Sequence, residues 1–244
     1  MSTAYALIGD PVGHSLSPAM QAAAFAAAQV DATYAALAVD LGGLREFVAR
    51  ARAGSFAGFN VTTPLKEAIV AHLDHLTDEA REAGAVNLVR RAGGSLEGHN
   101  TDGAGLVAAL ADVWDWQPRG ANALILGSGP AGRAIARALK RAGAVALACW
   151  SRNEQTARTI GPPPHRTVDL AVSALPADAI VPDAILESIG PRTLLFDVNY
   201  RAARSPFPPR IGAQRSDGLP LLVRQGALSF EWWTGQPAPV AVMR

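Results

Sequence analysis

Lysine is nearly missing from this chain: of 22 basic residues only Lys66 and Lys140 are lysines. Heavy alanine content beside that ratio suggests a codon bias toward arginine. A lysine kept in such a background marks a place where a compact, tunable point charge serves better than a fixed guanidinium fork. Composition does not say which of the two lysines that is. Cysteine is as scarce, since Cys149 stands alone. An internal disulfide is therefore excluded, which fits a reducing cytoplasm. Net charge is almost absent too, at +1, so nothing points to nucleic acid or a membrane surface as a partner. No apolar run reaches the roughly 20 residues of a membrane span. Met1–Asp10 lacks the basic-then-apolar order of a signal peptide. A soluble, cytoplasmic protein is the expectation.

What is present is the material of a packed core, with 49% hydrophobic and 18% charged residues over 244 positions. That length suits two domains. Strand-like and helix-like stretches alternate, the signature of α/β architecture with mainly parallel sheets. Strands are expected at Tyr5–Gly9, Thr33–Val39 and Phe56–Val61. Helices are expected at Pro18–Gln29 and Leu44–Arg52, the first with Ser17 as N-cap and Pro18 in its opening position. An Asn-Thr-Asp-Gly turn at 100–103 precedes a helix over Leu106–Trp114 that links the two domains. A second α/β unit follows, with strands at Ala123–Leu126, Val145–Trp150, Asp169–Ser173 and Thr193–Val198 and a helix from Ala131 to Ala142. Proline and glycine cluster at 161–164 and 205–212, marking loops.

Gly127-Ser128-Gly129-Pro130-Ala131-Gly132 fits G-x-G-x-x-G, directly after a strand and opening a helix. The first glycine permits the tight turn, the second lets a pyrophosphate approach the backbone, and the third lets helix and strand pack closely. Free N–H groups and the helix dipole favour phosphate there. The pattern alone also suits an ordinary strand–helix turn. An NAD site places a carboxylate at the end of the next strand. Here that strand ends in Trp150-Ser151-Arg152-Asn153, and an arginine fork suits the 2′-phosphate of NADP. A plain surface arginine is the alternative.

Three further segments crowd polar residues where a core has no need of them: Gly13–Pro18, Gly58–Lys66 and Gly98–Gly103. Read singly, Ser17 caps its helix, Lys66 is a solvated charge, and Asp102 caps the helix after a turn. Together they resemble the shikimate dehydrogenase family. The resemblance is carried by the pair Ser15 and Ser17 and by Asn60-Val-Thr-Thr-Pro-Leu-Lys66. Gly84-Ala-Val-Asn87 and Asn100-Thr-Asp-Gly103 extend it, as do Asp197–Tyr200, Asp217–Gln225, Phe230 and Trp233-Thr-Gly235. It spans nearly the whole chain, in order.

The resemblance implies a three-layer α/β substrate domain, a Rossmann-type dinucleotide-binding domain and a cleft between them. Residues 1–103, completed by a C-terminal helix within 219–244, would form the first, and residues 104–218 the second. It implies NADP-dependent reduction of 3-dehydroshikimate to shikimate, a step toward chorismate and the aromatic amino acids. Lys66 and Asp102 would be catalytic. Ser15, Ser17, Asn60, Thr62, Asn87, Tyr200 and Gln225 would hold the substrate's carboxylate and hydroxyls. Gly127, Ser128, Gly129, Pro130, Ala131, Arg152, Val198 and Gly218 would hold NADP. Lys66 then occupies the position where arginine could not relay a proton.

Several positions depart from the family pattern. Pro130 removes a backbone N–H that could face phosphate. Thr156 stands where the family has a second arginine, and Arg158 falls two residues late. Ser173-Ala-Leu-Pro replaces an Asn-Ala-Thr segment, and no Asn-Pro follows Tyr200. These leave room for a quinate or aminoshikimate dehydrogenase, or for a non-catalytic shikimate-binding protein. His72 and His75, three apart on an expected helix, lack the further ligands a metal needs, so no metal is expected. Trp114, Trp116, Trp232 and Trp233 read as packing residues. Small molecules are the expected partners, with the protein a monomer or homodimer.

Overall fold

The computed structural model describes every residue except Met1, Arg201, Arg210, Gly212 and Ala213. The chain forms two compact units, Met1–Gly105 with Leu222–Arg244, and Leu106–Leu221.

The first unit is built on six strands: β1 (Thr3–Gly9), β2 (Ala32–Ala38), β3 (Gly58–Val61), β4 (His75–Leu76), β5 (Leu88–Ala92) and β6 (Ser95–His99). They lie in the order β2-β1-β3-β5-β6-β4. β1 is parallel to β2 and β3, but β5 runs antiparallel to both β3 and β6. β4 is parallel to β6, so pairing is mainly parallel as expected, and β5 is the one strand that runs against its neighbours. The cause is local: Gly93 and Gly94, both at positive φ, close a two-residue hairpin between β5 and β6, a connection that forces antiparallel strands.

Side chains alternate across this sheet. Ala6, Ile8, Phe59 and Val61 face α2 (Leu44–Arg52), burying Leu44, Phe47 and Val48 in one cluster. Tyr5 faces the other way, where α1 (Ser17–Ala27) supplies Met20, Ala24 and Phe25. The same cluster takes Val223, Ala227 and Phe230 from α8 (Leu219–Thr234) and Met243 from α9 (Val240–Met243). Burial of each large side chain stabilises the unit by roughly 1.5–3 kcal/mol. Trp233 closes over Gly58, where an added Cβ would strike the indole, and its Nε1 donates to the Val89 carbonyl at 3.0 Å.

Two helix starts differ from expectation. Ser17 is not the N-cap of α1; Leu16 holds that position without a side-chain hydrogen bond. Ser15 engages the backbone instead, its Oγ accepting from the Ser17 N–H at 3.2 Å. The second is α4, which spans Asp102–Trp114. Asp102 and Gly103 thus form its first turn rather than a turn ahead of it. Asn100 makes this possible, because its Oδ1 accepts the Asp102 N–H at 3.1 Å, as a capping side chain does. His72 ends a 3-10 turn (Ala68–His72), and His75 belongs to β4, so the two share no helix. Short α3 (Asp78–Ala83) separates β4 from β5.

The second unit carries β7 (Asn122–Leu126), β8 (Ala146–Trp150), β9 (Val168–Ser173), β10 (Ile189–Asp197) and β11 (Gln214–Ser216). The order is β11-β10-β9-β7-β8 with every pairing parallel. This is a doubly wound sheet whose direction of winding reverses at β7, and such a reversal opens a crevice at the strands' carboxyl ends. One face buries Ala123, Ile125 and Val172 against α4, α5 (Pro130–Arg141) and α6 (Glu154–Arg158). The opposite face gathers Leu124, Leu126 and Leu195 with Val181 and Phe207, beside α7 (Asp183–Leu186). Trp114 meets Phe196 edge-on at 6.2 Å, a packing role. Among the described residues no helix is long and apolar enough to cross a membrane, and no group of three acidic, His or Cys residues suits a metal.

Candidate active site

β3 ends at Val61 and the chain turns through Thr62-Thr63-Pro64 to Lys66, whose carbonyl accepts the Val86 N–H at 2.8 Å. That bond brings Lys66 beside the 85–87 segment leading into β5. The Lys66 Nζ meets Asp102 Oδ2 at 2.6 Å, the two side chains 17% and 10% exposed. Such shielding matters, because a charge-assisted bond strengthens as water is removed. Asp102 Oδ1 accepts from Asn87 Nδ2 at 2.7 Å. Its place in the first turn of α4 adds the favourable end of the helix dipole.

Asn87 is held in turn. Its Oδ1 accepts the Thr101 N–H at 2.9 Å, and its carbonyl accepts from Asn60 Nδ2 at 3.0 Å and from the Val61 N–H at 2.9 Å. Asn60 also donates to Ser229 Oγ at 2.9 Å and accepts from the Tyr34 hydroxyl at 2.8 Å. Both of its amide hydrogens are thus committed within the protein. Ser229 donates to the Gln225 carbonyl at 3.0 Å, and Gln225 Nε2 donates to the Leu222 carbonyl at 2.8 Å. Burial pushes the Tyr34 phenol well above its ordinary range, against a smaller opposing effect of a hydrogen bond with Ser17. Thr62, half-buried, packs its methyl toward Gly9, and its N–H reaches the Ile8 carbonyl at 2.9 Å.

Lys66, Asp102, Asn87 and Asn60 therefore form one continuous polar network that Tyr34 extends toward Ser17. Tyr34, Asn100, Thr101 and Ser229 were not singled out as site residues from the sequence. Asn100 and Thr101 had a signal, lying inside the Asn-Thr-Asp-Gly segment. Tyr34 and Ser229 had none, since a tyrosine in a strand and a serine in a helix look ordinary.

The second unit presents a different construction. Gly127 has φ +105°, a conformation open to glycine. A Cβ on Gly132 would strike the Gly127 carbonyl, so α5 approaches β7 as closely as backbone allows. A Cβ on Gly129 would meet nothing within 4 Å, which leaves the loop open where a phosphate would approach the chain. Pro130 opens α5 and offers no N–H, but Ala131 and Gly132 keep first-turn N–H groups free of helical partners. Ser128 Oγ lies 2.6 Å from Thr156 Oγ1, and Arg133 Nη1 donates to the Ser128 carbonyl at 3.1 Å. Arg152 is exposed just past β8. A Cβ on Gly218 would strike the Val198 carbonyl, so these two positions meet directly. Tyr200, half-buried, follows β10 in this unit. The open glycine turn and the flanking arginine fit a phosphorylated dinucleotide.

Comparison with known proteins gives this arrangement its relatives. The shikimate dehydrogenase substrate binding domain family matches residues 7–89, and the shikimate 5′-dehydrogenase C-terminal domain family matches residues 218–244. A shikimate dehydrogenase (NADP(+)) of Anaeromyxobacter is 40% identical over 98% of this chain and 93% of its own length. The chain belongs to the shikimate dehydrogenase family. A solved shikimate 5-dehydrogenase of Thermus thermophilus, in complex with NADP(H) and shikimate, superposes with TM-score 0.89 at 35% identity, covering 99% of this chain and 97% of that one. The family's fold also serves other chemistry, for a ligand-free 5-ketofructose reductase of Gluconobacter matches at TM-score 0.85 and 31% identity over 100% of this chain and 96% of that one.

Proposed function

We propose that this chain is an NADP-dependent shikimate dehydrogenase, interconverting 3-dehydroshikimate and shikimate as a cytoplasmic enzyme whose partners are small molecules. The observation that carries the reading is the shielded Lys66–Asp102 pair at 2.6 Å, tied to Asn87 at 2.7 Å, in a family whose members bear that name. Bound NADPH supplies the hydride that converts the ketone carbon to an alcohol carbon. Gly127, Ser128, Gly129, Pro130 and Ala131 would hold its pyrophosphate, Arg152 its 2′-phosphate, and Val198 and Gly218 its remaining face.

In this mechanism Lys66 Nζ moves the proton. In the reducing direction it donates to the ketone oxygen as negative charge develops there, and in the oxidising direction it takes the hydroxyl proton back. Asp102 orients Nζ through Oδ2 and contacts the same hydroxyl of the substrate. Asn87, gripping Oδ1, keeps that carboxylate from rotating. Ser15 and Ser17, beside the start of α1, suit the substrate carboxylate. Thr62, Gln225 and Tyr200 would serve the ring hydroxyls, whereas Asn60, with both amide hydrogens already committed, contributes chiefly by bracing Asn87.

The test is an absorbance assay at the reduced-nicotinamide band, with purified protein, shikimate, and either NADP or NAD. Turnover with NADP far above NAD is expected, and quinate in place of shikimate should be a poor substrate. Turnover with NAD alone would sink the cofactor assignment, and faster turnover of quinate would sink the substrate assignment. Shikimate binding without turnover on either cofactor would leave only a binding protein.

A further inference from the structure

The network around Lys66 includes Tyr34, which the reaction as described does not use. Tyr34 lies on β2 in register with Tyr5 of β1, which is itself in register with Gly58 of β3. Two residues farther along β3 on the same face is Asn60, and the Tyr34 hydroxyl reaches its Oδ1 at 2.8 Å.

The direction of every proton in this chain can be derived. A carbonyl accepts only, so the Asn87 carbonyl fixes Nδ2 as the end of Asn60 that faces it. Ser229 gives its hydrogen to the Gln225 carbonyl and so accepts the second Asn60 hydrogen. Oδ1 is then the end left for Tyr34, and Tyr34 must donate. Tyr34 is half-buried, and burial holds its phenol above the ordinary range.

We propose that Tyr34 is a positioning residue of the reaction centre: its hydroxyl locks the Asn60 amide in one orientation, and Asn60 thereby pins the Asn87 carbonyl. Asn87 is the residue whose side chain holds Asp102 against Lys66. Without the phenol oxygen, Asn60 Oδ1 loses its donor in a buried place. The amide then turns to seek another, and its grip on Asn87 slackens. The inference deepens the shikimate dehydrogenase reading and rests on it for the kinetic consequence alone.

Tyr34→Phe isolates the effect, because the ring that packs 6.1 Å from Trp233 is kept. With the full chain, kcat should fall about tenfold while the KM for shikimate changes by less than about twofold, the sign of lost orientation rather than lost binding. In an Asn60→Ala background the same substitution should do nothing further. Side-chain amide resonances of uniformly 15N-labelled protein give a readout independent of turnover: the Asn87 pair, assigned by its loss in Asn87→Ala, should shift in Tyr34→Phe. A raised KM with kcat intact would overturn the proposal and place Tyr34 at the substrate through Ser17. So would effects that multiply across the two backgrounds, or an unmoved Asn87 amide. If Asn60→Ala fails to fold, the amide spectrum decides. A wild-type protein that ignores shikimate, with the Asn87 amide still shifting in Tyr34→Phe, would sink the functional reading and leave the positioning role standing.

Discussion

Around Lys66 polar side chains satisfy one another, whereas around Gly129 the structure keeps space clear. The first unit fixes its chemistry with side-chain identity: Asn60 holds Asn87, Asn87 holds both Thr101 and Asp102, and α8 closes the circuit through Ser229. The second unit relies on backbone shape, with one turn at positive φ, one helix pressed onto the carbonyl of Gly127, and one exposed arginine. A buried polar network is costly when any member is lost. A glycine loop is instead sensitive to any atom added. The two regions should therefore fail in opposite ways, one to truncation and the other to enlargement.

The largest expected effect lies in the first region. Lys66→Ala should lower kcat by about 10³-fold, within the usual range for a general acid, with shikimate affinity by calorimetry nearly unchanged. Affinity that collapses while turnover survives would reverse the assignment. Next come paired enlargements in the glycine loop. Gly132→Ala should destabilise the protein by about 1–3 kcal/mol through its clash with the Gly127 carbonyl, seen as a lower urea midpoint. Gly129→Ala should leave that midpoint in place and weaken NADP binding about tenfold, because the approach of pyrophosphate to backbone is blocked. Equal effects of the two would erase the contrast drawn above.

Arg152→Ala should weaken NADP binding by roughly 1.5–3 kcal/mol, the worth of a charged hydrogen bond, and leave NAD binding alone. Titration of both cofactors by nicotinamide fluorescence would check it, and parallel losses would show that Arg152 does not read the 2′-phosphate. The smallest effect is on acid stability. The Arg52 guanidinium and the Leu96 N–H hold the Asp74 carboxyl at about 2, below its ordinary 3.8. A carboxyl depressed in the folded state stabilises above its unfolded value, and that contribution is lost as pH falls from 3.8 through about 2. Both partners are more than a third exposed, so the effect is modest. Thermal midpoints over that window should fall more steeply in the wild type than in Asp74→Asn.

How far the sequence could be read follows the same division. The strand–glycine–helix turn at 122–141 was legible because its backbone demands a particular residue pattern, and β7 and α5 begin one residue earlier than expected. The β5–β6 hairpin carried an equally local signal in Gly93-Gly94, but the pairing it dictates went unused beside the stronger α/β alternation. Asp102 was misplaced into a turn because it sits in an Asn-Thr-Asp-Gly segment, and only the Asn100 side chain reveals that the helix has already begun. Tyr34 had no sequence signature at all. Its role arises from strand register, which sets residues 26 positions apart within one hydrogen bond.

The seating of α8 has a consequence for synthesis. Phe230 and Trp233 cover Tyr5 and Phe25, yet they are translated more than 200 residues later. Residues 106–221 emerge from the ribosome as an uninterrupted stretch, while the unit begun first waits with a bare aromatic face until α8 has been made. The nascent chain therefore completes its second unit before its first, and the segment from Tyr5 to Phe25 is the part that a chaperone would have to guard longest.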